Sequence, residues 1–178
     1  MNFSIFDSGQ SQIVIKLFNN VFSDSEGEAE GELIGQLVSD LITTTDAQDL
    51  KGFVALSQNE IVGCIFFSRL TLEDNITAFI LAPVAVSTNH QGKGIGQQLI
   101  AFGIQYLKEQ GIDLLITYGD PNFYSKTGFH SISQACIKPP LRLSQPEGWL
   151  AQSLTGEIIE PIDGISKCVA ALNKQAYW

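Results

Sequence analysis

Residues 76–118 constrain the fold more than any other stretch of the chain. A mostly apolar run, Ile76–Val86, leads into Gln91-Gly92-Lys93-Gly94-Ile95-Gly96. Ile95, Leu99, Phe102, Gly103 and Tyr106 then mark one face of a helix running to about Gln110. Gly111 follows as a common helix stop, and Ile112–Tyr118 is a second apolar run. A strand, a helix and a strand in that order need a crossover connection, so the two strands form a parallel pair.

The flanking segments read differently. Ile13, Leu17 and Val21, with Val14, Phe18 and Phe22, predict a helix over about residues 10–23, and Leu33, Leu37 and Leu41 predict a second. Gly52–Ser57 and Glu60–Leu70 read as strands joined by a turn at Gln58-Asn59, and Asp74-Asn75 is the next turn signal. Tight turns between successive strands imply antiparallel pairing. Beyond the parallel unit, a short helix over Asn122–Thr127 stops at Gly128, and Phe129–Ser133 reads as a strand. Trp149–Leu154 reads as a last strand and Ile165–Lys174 as a terminal helix. No repeat or linker divides the chain. The expected fold class is therefore α+β: a mixed, mostly antiparallel sheet flanked by helices, in one domain over residues 1–178.

Composition narrows the function classes. Ten basic residues against nineteen acidic ones give a net charge of −9, which argues against a nucleic-acid partner. The longest apolar run is broken by Pro83 and is too short to span a membrane, and Met1–Asp7 shows no leader pattern. Cys64, Cys136 and Cys168 are odd in number and far apart, which fits free thiols in a cytoplasmic protein and fits no metal site. All the excess charge falls in residues 1–89, with twelve acids against three bases, densest from Asp24 to Glu32. Two readings of that run stand: a solvated helix start, or an acidic rim that draws in a cation.

Chemistry starts at the glycines. A glycine-rich turn between a strand and a helix lets the backbone approach a ligand closely and turns its N–H groups toward an anion, and the helix N-terminus adds positive potential. The bland alternative is a tight turn with no ligand. A dinucleotide site wants Gly-x-Gly-x-x-Gly, and a P-loop wants Gly-Lys-Ser/Thr at the helix start. The spacing here is Gly92-x-Gly94-x-Gly96 followed by Gln97-Gln98, which fits neither.

The loop resembles the diphosphate-binding segment of the GNAT N-acetyltransferase superfamily, Gln/Arg-x-x-Gly-x-Gly/Ala, met by Gln91, Gly94 and Gly96. Val86 stands at the family's usual distance before it, and Tyr124-Ser125-Lys126-Thr127-Gly128-Phe129 resembles the family's Tyr-x-x-x-Gly-Phe. Gly119-Asp120-Pro121 and Ala82-Pro83-Val84-Ala85-Val86 are similar to bacterial predicted acetyltransferases of the YhbS type.

The resemblance implies a GNAT-like sheet whose parallel strands splay at a CoA cleft, with acetyl-CoA as co-substrate and no metal. Residues 1–50 would form a helical acceptor side, 51–133 the cofactor-binding core and 134–178 a strand-and-helix cap. Backbone groups of Val84, Ala85 and Val86 would pair with the pantetheine arm and bind the thioester carbonyl. Amides of Gln91, Gly92, Lys93, Gly94, Ile95 and Gly96 would hold the diphosphate, and Lys93 is read equally as a bound charge or a solvated one. Tyr124 would be the general acid for the departing thiolate, or else a core aromatic beside Phe123 and Phe129. Many relatives place an acid on the fourth strand, but Ile76–Val86 contains none. Glu32, Glu73, Asp74 and His90 are the other candidates for a base, beside a water chain. Thr117 stands where the family has an asparagine.

Two functions follow. One is an N-acetyltransferase moving acetyl from acetyl-CoA to an amine, amino-acid or peptide acceptor, cationic if the acidic rim selects it. The other is a catalytically idle acyl-CoA-binding or protein-interaction module. A homodimer is left open.

Overall fold

The computed structural model describes all residues, Met1–Trp178. In chain order its elements are β1 (Asn2–Ile5), α1 (Ser11–Glu26), α2 (Glu28–Thr44), β2 (Leu50–Ser57), β3 (Glu60–Thr71), β4 (Ala78–Val86), α3 (Ile95–Glu109), β5 (Leu114–Tyr118), α4 (Pro121–Tyr124), β6 (His130–Ser131), β7 (Trp149–Ser153) and β8 (Lys167–Cys168). The strands hydrogen-bond in the order β1-β2-β3-β4-β5-β7-β6, with β8 on β3. The sheet is mixed and mostly antiparallel, with β4 and β5 the parallel pair, as the sequence predicts. The chain divides into two compact units, Met1–Phe67 with Pro83–Gly103, and Ser68–Ala82 with Ile104–Trp178.

In the first unit, β2 and β3 form the predicted hairpin. Gln58 and Asn59 take φ values of 51° and 66°, the left-handed pair of a two-residue turn whose twist matches its strands. β1 adds an antiparallel edge, from Asn2↔Leu56 to Ile5↔Phe53. Sequence reading misses β1, because an edge strand of four residues carries too little alternation to declare itself. The apolar stripes of α1 and α2 bury Val14, Phe18, Leu37, Val38 and Leu41, each worth about 1.5–3 kcal/mol of transfer free energy. Gly103 lets α3 close on the sheet: a Cβ there would stand 2.8 Å from the Phe67 ring and 3.0 Å from that of Phe53.

In the second unit, the β4–β5 ladder runs from Ala78↔Leu114 to Leu81↔Thr117 and ends there, while β4 continues to Val86. β7 lies antiparallel on the other side of β5, from Tyr118↔Trp149 to Leu114↔Ser153. The final segment departs from expectation. Ile165–Lys174 is not a helix, and Trp149–Ser153 is not the last strand: Lys167 and Cys168 pair with Thr71 and Leu70. Ile165 is 57% exposed, so its helical spacing with Val169 and Leu172 never formed a buried face. The adjoining backbone is claimed instead by Lys138, whose carbonyl accepts both the Ser166 amide and its hydroxyl. Trp149 and Trp178 anchor the tail, their indole N–H groups donating to the carbonyls of Ile137 and Leu172 at 2.9 and 2.8 Å.

Candidate functional site

The glycine loop is built by backbone conformation. Gly92 and Gly94 have φ of +74° and +75°, which a side chain would strain, and a Cβ on Gly92 would meet nothing within 4 Å. Steric closeness therefore does not explain Gly92, whereas the turn of the main chain does. Between Gly92 and Gln97 no backbone N–H donates to an acceptor in the chain; the first helical amide that does is Gln98, to the Gly94 carbonyl at 3.1 Å. The start of α3 thus presents a consecutive run of free donors at the positive end of a helix dipole, which suits a diphosphate. Three ties hold the loop in place. Gln91 Nε2 donates to the Val86 carbonyl at 2.9 Å, Lys93 Nζ to the Asn89 carbonyl at 3.1 Å, and Thr88 Oγ1 to Asp24 Oδ2 at 2.6 Å. Ile95 and Gly96 are buried, while Gln91, Gly92 and Lys93 are exposed. Ala85 is buried, and Val84 and Val86 are half-buried on the last stretch of β4.

Tyr124 ends α4, which Asp120 caps by accepting the Asn122 amide at 2.9 Å and Pro121 opens at a position where no N–H is needed. Its ring meets Phe123 and Phe129 edge-on, at centroid distances of 5.0 and 6.0 Å. The ring is packed, and the Thr117 side chain stands close enough to its hydroxyl to affect its proton affinity. Thr117 Oγ1 donates to the Leu81 carbonyl at 2.9 Å. That bond sits on the final rung of the parallel ladder. Burial pushes the Tyr124 phenol up to about 12, the Thr117 side chain holds the rise back, and the Asp120 carboxylate adds to it. The phenol is thus fully protonated at neutral pH. Sequence reading marks Thr117 only as a departure from the family pattern; its hydroxyl chemistry becomes evident once the register sets it beside Leu81.

The other candidates are dispersed. Glu32 is exposed on α2, and Glu73 and Asp74 are exposed in the turn before β4, where Asp74 accepts the Asn75 amide. His90 is half-buried, with Nδ1 shielded from solvent and without a hydrogen-bond partner. A cavity of about 470 Å³ lies elsewhere in the second unit, between Gly128–Ile132 and Ala151–Ile159, and none of the predicted site residues lines it.

The acetyltransferase (GNAT) domain model matches residues 48–131. That stretch is similar to a GNAT acetyltransferase domain. Among curated relatives, the chain is 31% identical over 117 residues to the uncharacterized N-acetyltransferase YjhQ of Escherichia coli K12, covering 62% of this chain and 65% of that one. It is 32% identical over 80 residues to the uncharacterized N-acetyltransferase YhbS of the same organism, covering 44% and 48% respectively. The chain thus matches less than two thirds of the length of either relative. In fold it is similar to crystallised GNAT proteins. The E. coli YhbS–CoA complex matches with a TM-score of 0.78 at 21% identity, over 98% of this chain and 92% of that one. A Brucella melitensis GNAT acetyltransferase with acetyl-CoA matches with a TM-score of 0.67 at 20% identity, over 97% of both. No helix of the chain is long and apolar enough to cross a membrane.

Proposed function

We propose that the chain is an N-acetyltransferase that moves an acetyl group from acetyl-CoA to an amine acceptor by direct attack. The observation that carries this reading is the run of free amides from Gly92 to Gln97, set on two left-handed glycines at the start of α3. Those amides, with Gln91 and Lys93 beside them, bind the diphosphate. The backbone of Val84, Ala85 and Val86 pairs with the pantetheine arm, and one amide there donates to the thioester oxygen. Negative charge grows on that oxygen as the amine nitrogen bonds to the carbonyl carbon, and a single donor aimed at it contributes about 3–4 kcal/mol. Collapse of the intermediate breaks the C–S bond, and the sulfur takes the Tyr124 proton.

A phenol near 12 facing a thiol near 8.5 transfers its proton uphill by about 5 kcal/mol. Tyr124 therefore works first as a hydrogen-bond donor to the developing thiolate, and transfer completes as the C–S bond opens. An ammonium of pKa near 10.4 must first lose a proton, which costs about 4–5 kcal/mol at pH 7. No carboxylate stands on β4, and Glu32, Glu73 and Asp74 are all exposed, which leaves His90 or water to take the proton. Residues 1–50 form the acceptor side. The acceptor class is a small amine, amino acid or peptide, and the acids after Asp24 favour a cation.

The lack of an acid on β4 favours a second reading, an idle acyl-CoA-binding module. Release of free thiol from acetyl-CoA across a panel of amines, amino acids and peptides tests both. Acceptor-dependent release is expected. CoA binding with no release across the panel would leave the idle module, and failure to bind CoA would overturn both.

A further inference from the structure

Asp24 sits where helix electrostatics alone would not put it. It occupies the last turn of α1, whose C-terminus carries partial negative charge and disfavours a carboxylate. Its partner explains the placement: Oδ2 accepts the Thr88 hydroxyl at 2.6 Å, across 64 positions of sequence. Thr88 opens the short 3₁₀ turn Thr88–His90, which closes by a bond from the His90 amide to the Ser87 carbonyl at 2.7 Å. That turn is the lead-in to the glycine loop. Its middle residue, Asn89, receives Lys93 Nζ, and Gln91 beyond it reaches back to Val86.

The α1 end of the contact is itself held firmly. α1 and α2 meet at Gly27, with φ +102°, and Gly31 lies so close to α1 that a Cβ would stand 2.5 Å from the Asn19 carbonyl and would overlap the Ser23 hydroxyl. Asp24 is thus a short arm on a helical hairpin, fastened to a turn whose Ser87 amide is tied to the Val62 carbonyl and whose Asn89 and Gln91 lead into the loop.

We propose that Asp24 is a positioning residue that latches the diphosphate loop to the α1–α2 hairpin through Thr88. The inference rests on the loop being the diphosphate site. Asp24 touches no reacting atom. Its carboxylate would repel an anionic ligand, so it acts by geometry, through the hydrogen bond, and against its own charge. The latch fixes the 88–91 turn before the ligand arrives, which lowers the ordering cost of binding. Coupling is reciprocal, so ligand held by the loop also steadies the end of α1.

The full-length chain supplies two independent measurements. In the ligand-free protein, backbone ¹⁵N order parameters over residues 88–96 should fall in Asp24→Ala and in Thr88→Val, with no further fall in the double variant. Asp24→Asn, which keeps an acceptor oxygen, should retain wild-type values. Unchanged order parameters in Asp24→Ala would overturn the latch whether or not CoA binds. By calorimetry, Asp24→Ala should weaken CoA about three- to tenfold, the scale of one hydrogen bond. Asp24→Asn should bind CoA at least as tightly as wild type, and pantetheine, which lacks the diphosphate, should bind both variants equally. Equal weakening of pantetheine, or loss in Asp24→Asn matching that in Asp24→Ala, would also overturn the latch. A wild-type chain that shows the order-parameter effect yet fails to bind CoA would instead defeat the acetyltransferase reading.

Discussion

The glycine loop and Tyr124, the two parts of the proposed site, offer opposite kinds of chemistry. The loop offers main-chain donors, unpaired and near the surface, whose usefulness depends on φ at Gly92 and Gly94. Tyr124 offers one side-chain hydroxyl, desolvated, with the Thr117 side chain beside it. Backbone chemistry tolerates exposure because its geometry is fixed by turn and helix start. A phenol that must donate to a developing thiolate gains from burial, since the same desolvation keeps its proton in place. A loop of this kind should fail through affinity, and a residue of this kind through turnover.

Tyr124→Phe is the largest test of that contrast. The ring and its packing on Phe129 survive, while the proton donor goes, so kcat should fall by about 10²–10⁴-fold with little change in KM for acetyl-CoA. Steady-state kinetics of the purified variant decide it, and wild-type kcat would return Tyr124 to the core. The pH dependence sharpens the same point. Because folding raises the phenol from about 10 to about 12, its contribution to stability is fully present below pH 10 and fades as pH rises toward 12. Up to about 2–3 kcal/mol is at stake for a two-unit shift. Urea unfolding between pH 9 and 11 should show this loss in the wild type, and Tyr124→Phe should lack it.

Gly94→Val comes next and attacks the other side of the comparison. A β-branched residue at φ +75° is strained, and the loop would swing to a β or α conformation that turns its amides away. CoA affinity should drop by about 10²-fold or more in a chain that still unfolds cooperatively. Unchanged affinity by calorimetry would reduce the loop to a turn.

Thr117→Val should have a smaller effect. It removes the Thr117 hydroxyl but keeps the shape, leaving the Leu81 carbonyl without its side-chain donor. Since the Thr117 side chain holds the phenol down, its loss raises the phenol further and makes proton donation harder. A fall in kcat of about tenfold is expected, on the scale of one hydrogen bond, with Thr117→Ser restoring most of it. A Val variant as fast as wild type would separate the Thr117 hydroxyl from the chemistry.

The same contrast explains what can be read from residues alone. The loop was legible because glycine spacing and a helix start are local properties: Gln91, Gly94 and Gly96 carry their meaning within a few positions. The hairpin at Gln58-Asn59 and the stop at Gly128 were legible for the same reason, each being a turn with its own residue signature. The Tyr124 environment was not, because the phenol's state depends on Thr117 and Asp120, and the Thr117 contact exists only once β5 is in register with β4. Asp24 and Thr88 lie further apart still, and nothing in an acidic run marks which member is engaged. The end of the chain misled for a related reason. Ile165, Val169 and Leu172 have helical spacing, but Leu70 and Cys168 pair across a long loop that periodicity does not register.

Lys93 is the finest probe, because it asks whether the loop binds by backbone alone. Its ammonium is exposed and donates to the Asn89 carbonyl, so it stands beside the proposed diphosphate without being dedicated to it. An exposed ionic contact is worth about 0–1 kcal/mol, and salt screens it over a Debye length of about 8–10 Å. Lys93→Gln should therefore weaken CoA by no more than about fivefold at low salt. The difference from wild type should close as ionic strength rises, while the main-chain share of the affinity stays. A loss in Lys93→Gln as large as that in Gly94→Val, measured in the same buffer, would mean that the side chain and not the amide run carries the anion.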